Sequence, residues 1–485
     1  MVIKFGTSGH RGIIKESFTL EHVQAIGQAV ADLLGCSSET KIAIGYDPRE
    51  GNDPHLERGS FTHALTQVLL DAGVTVYFFN LAVPTPLISW FIKTRQLTGG
   101  FILTASHNPP EYNGLKFNPS NGAPAPTSVT ETIEKKANQL LYKPITTLQK
   151  KGTLIKESSI DGFCDDLIQL ITPWFSVKQV SSPLPVVIDA KHGTSAPIWN
   201  KLLSSLKIVH TILHQTPRSD FGQLETNPLH IDGLSDLIHA QKKKNAVMAI
   251  ANDPDADRFC VLDETGYALS PEEVMAIIVH FLAKKRIPLA GIASTVASSQ
   301  LVKSVSRKLE ITYHETAVGF KYFAPFLEKA KEKKELAFGV ESSGGITVSE
   351  HTLEKCGFFP GLCLLFILKE TGKPLSQLKQ EIENKYGRYY FLEKAITFTN
   401  EKKNRIVSWI QKSNLGTLEA DFSRSIQALN TTDGLKIIFN HDSWILLRPS
   451  GTEPVLRLYA ESLSRQETNQ LTDQCVAILA AKLES

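Results

Sequence analysis

The chain has 485 residues, of which 42% are hydrophobic and 21% charged, with a formal net charge of +2; this is ordinary globular composition, with room for roughly three or four domains. No basic stripe or tail points to nucleic acid, and no acidic block stands out. The N-terminus lacks the apolar run of a signal peptide, the longest apolar stretches (361–368, for example) are too short to span a bilayer, and the six cysteines contain no Cys-x-x-Cys pair, so a soluble cytoplasmic protein with reduced packing thiols is expected.

Residues 3–14 carry glycines at 6, 9 and 12 that permit tight turns, with Arg11 among them like a phosphate clamp. A helix follows from Thr19 to about Leu34, with Val23, Ile26, Ala29, Val30 and Leu33 at helical spacing. Thr19 is its N-cap, without a capping box, because His22 is neither Glu nor Gln. The run 41–47 is a short buried strand that empties into Pro48-Arg49; a helix over 58–72, a strand over 74–79, a helix over 87–94 and a strand over 100–103 come next.

That last strand ends in Thr104-Ala105-Ser106-His107-Asn108-Pro109-Pro110, where two prolines hold the chain off helix. The loop offers the Ser106 hydroxyl and the His107 imidazole, and Lys116 follows a few residues on: a nucleophile with a base beside it, as a covalent phosphoryl or acyl carrier needs. Alternating strands and helices argue an α/β layer with a largely parallel sheet. Ser106 falls outside the carboxyl end of a strand, where such sheets bind ligands. Residues 118–128 read as loop, a helix runs to about Leu141, and 143–155 reads as the link to a second domain.

The second domain opens with a helix near 161–170. A strand over 185–189, a helix to about Leu206 and a strand-like 207–213 repeat the same order of elements. Between apolar 246–250 and 259–262 lies Ala251-Asn252-Asp253-Pro254-Asp255-Ala256-Asp257-Arg258. On an extended loop, three carboxylates at alternate positions point the same way. Held together, three anions need a cation, and Mg²⁺ suits so small a ligand set because it leaves room for water and a phosphate oxygen. The spacing also fits an EF-hand, with Glu264 at the twelfth position, but Arg258 stands where the sharp turn needs Gly and the flanks read as strands.

A third βα segment begins near Pro271 and includes a strand over 291–296. Thr316-Ala317-Val318-Gly319-Phe320-Lys321-Tyr322 then precedes a helix to about Ala330, and 336–339 is a strand. The loop Val340-Glu341-Ser342-Ser343-Gly344-Gly345 suits sugar hydroxyls better than phosphate, since a carboxylate accepts their hydrogen bonds and a serine can both accept and donate. The last domain starts with a helix from about Leu375 to Tyr386. It carries strand 444–447, the loop Arg448-Pro449-Ser450-Gly451-Thr452-Glu453-Pro454, strand 455–461 and a final helix from 465 to 483. Backbone amides near Gly451, the hydroxyls of Ser450 and Thr452, and the Arg448 guanidinium make an anion nest suited to a phosphate.

A nucleophile loop, a carboxylate loop, a polyol loop and a phosphate loop in that order resemble the α-D-phosphohexomutase superfamily over the whole chain. T-A-S-H-N-P-P, D-P-D-A-D-R, R-P-S-G-T-E-P and the N-terminal F-G-T-S-G-x-R-G carry the likeness. The resemblance implies a four-domain architecture around a central cleft: three related α/β/α domains with mixed sheets (1–150, 151–268, 269–374) and a C-terminal α+β domain (375–485). It implies Ser106 as phosphoserine, with Asp253, Asp255 and Asp257 holding Mg²⁺ together with a phosphoserine oxygen. Glu341 and Ser343 would contact sugar hydroxyls, and Arg448, Ser450, Gly451 and Thr452 the non-reacting phosphate, with Lys321 and Arg457 as further substrate-binding candidates. Arg11, His107, Lys116 and Arg258 would surround the reacting phosphoryl, with His107 or Lys116 as acid/base.

The activity so implied interconverts glucose 1-phosphate and glucose 6-phosphate through glucose 1,6-bisphosphate, which is both intermediate and activator. The expected assembly is a monomer or weak dimer acting on small sugar phosphates. Glucose is preferred over mannose because Gly345 stands where mannose/glucose enzymes often carry His, and because Val318-Gly319-Phe320-Lys321 resembles the glucose version. Ser342, where a second Glu is frequent, and Glu354-Lys355-Cys356-Gly357, in place of a Lys-Asp-Gly run, depart from the pattern. A mutase for mannose, glucosamine or pentose phosphate is the alternative. A phosphatase with an aspartate nucleophile and a non-catalytic sugar-phosphate binder are the further rivals.

Overall fold

The structure is a computed structural model; it describes residues 2–6, 9–35, 37–143, 152–176, 184–450 and 455–484. The chain divides into two compact units, Met1–Ala290 with Phe320–Lys379, and Gly291–Gly319 with Gln380–Ser485.

The first unit begins with a seven-stranded sheet in the order Phe5–Gly6, Gly9–Ile13, Tyr112–Pro119, Gly99–Leu103, Lys41–Tyr46, Thr75–Phe79, Thr153–Glu157. The last four strands are parallel; Tyr112–Pro119 returns antiparallel to Gly99–Leu103, and Gly9–Ile13 is antiparallel to it in turn. Helices Leu20–Leu34, Phe61–Asp71, Thr85–Thr94 and Thr127–Leu140 pack on the sheet. Phe18, Phe78 and Phe101 are fully buried in its core, each contributing about 1.5–3 kcal/mol by burial.

Three readings from the sequence change here. The link 143–155 contains the start of a strand, Thr153–Glu157, so part of it completes the first sheet; residues 144–151 lie outside the described residues. The segment after the serine loop forms the strand Tyr112–Pro119, which the sequence reading left unassigned. The first helix does have a reciprocal cap, because the His22 imidazole Nδ1 accepts from the Thr19 N–H at 3.1 Å and so takes the place of a Glu or Gln.

The second sheet runs Ala268–Leu269, Phe259–Leu262, Met248–Asn252, Val186–Asp189, His210–Leu213, parallel in its last three strands and antiparallel in the others. Also in this unit are the antiparallel hairpin Leu336–Glu341 with Gly345–Val348 and the helix Phe359–Thr371. That helix accounts for the apolar run 361–368: it is buried all round from Phe359 to Leu368, beside the helix Pro271–Lys284. The Phe175 ring stacks on Phe281 at 5.4 Å and on Phe366 at 5.0 Å. No helix among the described residues is long and apolar enough to cross a membrane. The five described cysteines are free and buried, as packing thiols should be.

In the second unit the strand Thr312–Thr316 lies parallel to the segment Gly291–Thr295, with the helix Gln300–Leu309 between them in sequence. A five-stranded antiparallel sheet follows in the order Tyr390–Thr397, Val455–Ser462, Trp444–Pro449, Leu435–Phe439, Ile426–Asn430. The helices Asn400–Lys412, Leu415–Phe422 and Arg465–Glu484 accompany it. Val296 and Ala297 pack against Trp444, Leu446 and Tyr459.

A buried carboxylate ties these pieces together. Glu461 Oε2 accepts from the Gln300 N–H at 2.8 Å and the Trp444 indole N–H at 2.9 Å. Burial pushes this carboxyl up to about 7, against the opposing hydrogen bonds of Ser299, Gln300 and Trp444 and the charge of Lys436. The folded state therefore keeps a proton that the unfolded chain releases near 4.5, so this contribution to stability is fully present at low pH and is lost as pH rises through about 7. Glu461→Gln, which keeps an acceptor oxygen, is expected to raise Tm at pH 8 by a few degrees, at most about 3 kcal/mol, and to leave Tm at pH 5 nearly unchanged. Identical Tm-against-pH slopes for both proteins would show that Glu461 stays ionised.

Candidate active site

Two neighbouring parallel strands, Lys41–Tyr46 and Gly99–Leu103, deliver the first half of the site from their carboxyl ends. The Asp47 N–H donates to Leu103 O at 3.1 Å, which ties the two exits together. Thr104 Oγ1 donates to Asp47 Oδ2 at 2.6 Å and accepts from the Ser106 N–H at 2.8 Å. Ser106 is fully buried, with φ at 54°. A non-glycine residue in this left-handed region persists only where its surroundings over-determine it.

Arg49 supplies much of that determination. It is fully buried, and all five of its N–H groups are used. Nε donates to Asp47 Oδ2 at 2.9 Å. One terminal nitrogen donates to Pro109 O at 2.8 Å and Tyr112 O at 2.9 Å, and the other to Asn108 O at 2.9 Å and to Ser106 O. Its guanidinium carbon lies 4.8 Å from the Phe221 ring centroid. Arg11 holds the same loop from another side, donating to Asn108 Oδ1 at 2.9 Å, and Thr226 Oγ1 donates to His107 O.

The carboxylate loop leaves the strand Met248–Asn252 and returns as Phe259–Leu262. Its backbone is a tight turn and not the extended segment expected: the Ala256 N–H donates to Asp253 O at 2.9 Å, and Ala256 has φ at 50°. The turn, not two-residue alternation, converges Asp253, Asp255 and Asp257, whose ligand oxygens lie within 4.8 Å of one another. Three chain segments clamp it from behind. The Thr194 N–H and Oγ1 both donate to Pro254 O at 2.9 Å, the Thr85 N–H to Asp255 O at 2.9 Å, and the Gly357 N–H to Ala256 O at 3.1 Å. Only glycine fits at 193, where a Cβ would meet Pro254 O at 2.5 Å.

Ser106 Oγ donates to Asp253 Oδ2 at 2.8 Å, so the two loops meet at the serine hydroxyl. Lys116 Nζ donates to Asp255 Oδ2 at 2.7 Å and Asp257 Oδ2 at 3.0 Å. Lys355 Nζ lies 3.1 Å from Asp257 Oδ2, and Arg258 Nε 3.8 Å from Asp257 Oδ1. Burial raises Asp253 well above the usual carboxylate range, helped by Asp255 and Asp257. Burial pushes Asp257 the same way, but Lys116, Lys355 and Arg258 together outweigh it and hold Asp257 ionised. For Lys116, burial favours losing the proton, and Asp255, Asp257 and Glu354 reverse that and keep the amine charged. His107 is held neutral, its imidazole well below the usual range because of burial and the charges of Arg258 and Arg11.

Asp255 Oδ1 and Asp257 Oδ1 are buried and accept no hydrogen bond from the described residues. Two hard oxygens that lack a hydrogen bond, beside Asp253, fit a small divalent cation such as Mg²⁺.

The polyol loop is shorter than expected, because strand Leu336–Glu341 runs to the carboxylate and Gly345 begins the next strand. Glu341 is buried, Ser343 Oγ donates to Glu341 Oε2 at 3.4 Å, and Gly344 O accepts from the Phe259 N–H at 3.1 Å, next to the carboxylate loop. Lys321 lies on a short turn, with Nζ 5.4 Å from the Tyr322 ring centroid.

The phosphate loop belongs to the second unit. Arg448 and Arg457 are cross-strand neighbours at its base; Arg448 Nε donates to Asp433 Oδ2 at 2.8 Å, and an Arg457 terminal nitrogen donates to Glu393 Oε1 at 2.8 Å. The Ser450 N–H donates to Val455 O at 2.8 Å, while Gly451 and Thr452 lie outside the described residues.

Reasoning from the sequence missed Arg49, Thr85 and Lys355. Thr85 Oγ1 donates to Asp255 Oδ2 at 2.6 Å. Lys355 sat in the run noted only as a departure, and its value as a signal was its place one strand beyond the polyol loop.

A buried hydroxyl set on a carboxylate triad and ringed by cations is equipment for phosphoryl transfer. Family models for the phosphoglucomutase/phosphomannomutase α/β/α domains I, II and III match residues 2–143, 161–266 and 270–386, and the model for the C-terminal domain matches 404–478. A protein of Thermococcus gammatolerans named as a probable phosphoglucosamine mutase is 30% identical over 97% of this chain and 96% of its own. A phosphoglucomutase of Komagataeibacter xylinus is 27% identical over 95% of this chain and 87% of its own. The solved structure of a phosphoglucomutase/phosphomannomutase family protein from Burkholderia thailandensis shares the fold, with a TM-score of 0.80 at 21% identity over 99% of this chain and 97% of that one. The chain belongs to the phosphoglucomutase/phosphomannomutase family of the α-D-phosphohexomutase superfamily. It is accordingly a phosphomutase, an isomerase by reaction class.

Proposed function

We propose that this enzyme interconverts the 1- and 6-phosphates of glucose, with Ser106 as the phosphoryl carrier. The observation that carries the phosphoryl-transfer part of this reading is the Ser106 hydroxyl 2.8 Å from Asp253 Oδ2, beside two carboxylate oxygens that accept no hydrogen bond from the described residues; the choice of glucose rests on Gly345 and on the Val318-Gly319-Phe320-Lys321 run. Asp253, Asp255 and Asp257 would hold Mg²⁺, which would supply charge neutralisation for phosphoryl transfer. Arg11, Arg258 and Lys116 add fixed positive charge around it, and burial strengthens their effect.

In the first half-reaction the P–O bond to Ser106 breaks and a P–O bond to the sugar hydroxyl forms, and that hydroxyl gives up its proton. His107, whose imidazole burial and the charges of Arg258 and Arg11 keep neutral, and Lys116, whose amine Asp255, Asp257 and Glu354 keep charged against burial, are the two candidates for handling that proton. The 1,6-bisphosphate then turns end for end and returns its other phosphoryl to Ser106. Glu341 and Ser343 read sugar hydroxyls, Lys321 is a further substrate contact, and Arg448, Ser450, Gly451, Thr452 and Arg457 take the non-reacting phosphate. A loop that reads charge and not sugar identity suits a phosphate arriving from either end.

A second reading has glucosamine phosphate as the substrate, favoured by the name carried by the Thermococcus relative. Glu341, the one carboxylate of the polyol loop, would face the cationic amine, while Ser342 leaves that loop without a second acidic acceptor. Assay with a panel of sugar 1-phosphates and a trace of the matching bisphosphate tests both readings. The glucose reading expects kcat/KM for glucose 1-phosphate to exceed that for the mannose and glucosamine analogues by about tenfold or more, about 1.4 kcal/mol of discrimination. Equal rates on glucose and mannose would overturn it, and a preference for glucosamine 1-phosphate would establish the second.

A further inference from the structure

We propose that Arg49 is a positioning residue that registers the phosphoryl-carrying serine against the carboxylate triad. The inference rests on the reading of Ser106 as the carrier. Arg49 makes no contact with the reacting hydroxyl; it acts through backbone. Its terminal nitrogens donate to the carbonyls of Ser106, Asn108, Pro109 and Tyr112, four points along one loop. Its Nε shares Asp47 Oδ2 with Thr104, whose hydroxyl in turn receives the Ser106 N–H. The peptide groups on both sides of Ser106 are thus fixed from one guanidinium, which is what a left-handed serine requires.

The reach of the device goes beyond that loop. The guanidinium face lies over Phe221, which is fully buried in the domain that carries the triad. Five residues on, in the same segment, Thr226 Oγ1 donates to His107 O. The segment 221–226 therefore touches the anchor and the anchored loop together, and it belongs to the same domain as Asp253, Asp255 and Asp257. Arg49 converts the placement of that domain into the placement of Ser106 Oγ relative to Asp253. A planar fork with five donors can hold four carbonyls and a carboxylate at once; an ammonium, with three donors at one point, cannot.

The test compares the wild-type enzyme with Arg49→Lys, Arg49→Ala and Phe221→Leu. Expected for Arg49→Lys is a fall in kcat of about 100-fold, the scale of a 1 Å misplacement, with KM changed less than about threefold. Phe221→Leu, which keeps the core filled, is expected to lower kcat about tenfold. Millimolar guanidinium should restore activity to Arg49→Ala, and methylammonium should not. Wild-type kcat in both Arg49→Lys and Phe221→Leu would overturn the inference, as would equal rescue by the two cations. Phosphate transfer from the 1,6-bisphosphate to Ser106, followed by intact mass, separates the layers. A wild-type enzyme that takes no phosphate there defeats the carrier reading, whereas normal wild-type loading with unimpaired variants defeats only the role of Arg49.

Discussion

Ser106→Ala is expected to lower turnover by on the order of 10⁴-fold or more while leaving sugar-phosphate binding close to wild type. Ser106 Oγ lies on the triad, at 2.8 Å from Asp253 Oδ2, in a loop fixed by Arg11, Arg49 and Thr226. Removing an oxygen from a fully buried position takes away the transferring bond and little packing, and Asp253 loses one donor. The separation of effects is therefore sharp: activity vanishes, and binding measured by calorimetry stays. Retention of even a few per cent of turnover would mean that the phosphoryl is carried elsewhere.

The second large effect is expected at the triad. Asp255→Asn keeps an acceptor oxygen for Thr85 and Lys116 and removes the charge on the unpartnered side. Mg²⁺ affinity should fall by more than about 100-fold, beyond what loss of a supporting hydrogen bond costs, and activity at fixed Mg²⁺ should fall with it. The wild-type enzyme should gain about 2.7 kcal/mol of stability at a Mg²⁺ concentration of 100 times Kd, read as a rise in Tm that chelation reverses. Asp255→Asn should lose that increment while its metal-free Tm stays near wild type, because three carboxylates crowded against one another become two. An equal Mg²⁺-dependent rise in both proteins would place the cation elsewhere.

How much of this was legible in the sequence depends on where each signal resides. The four polar loops could be read because each puts unusual chemistry in a turn between apolar strands, and composition survives folding there. The strand Tyr112–Pro119 could not, because both of its faces are buried and its polar residues point inward: Asn113 donates to Glu50 O at 3.0 Å and Asn118 to Gly122 O at 3.0 Å. Alternation of polar and apolar residues marks a strand only when one face meets water. Arg49 was hidden for a related reason. An arginine after a strand reads as surface, and only the approach of a loop some 60 residues later supplies the carbonyls that bury it. The three carboxylates of the 253–257 loop do converge, but through the tight turn at Ala256 and not through the two-residue alternation read from the sequence. The antiparallel sheet and helices between 390 and 439 carried no chemical motif, and the sequence reading left them blank.

The claim at the centre of this account is that one phosphoryl group rides on Ser106 and is handed back to sugar. Enzyme incubated with glucose 1,6-bisphosphate, quenched rapidly and fragmented by mass spectrometry should carry a single phosphate on Ser106, which glucose 6-phosphate then discharges without release of inorganic phosphate. Phosphate found on an aspartate of 253–257, or discharge as inorganic phosphate alone, would contradict it and identify a phosphatase.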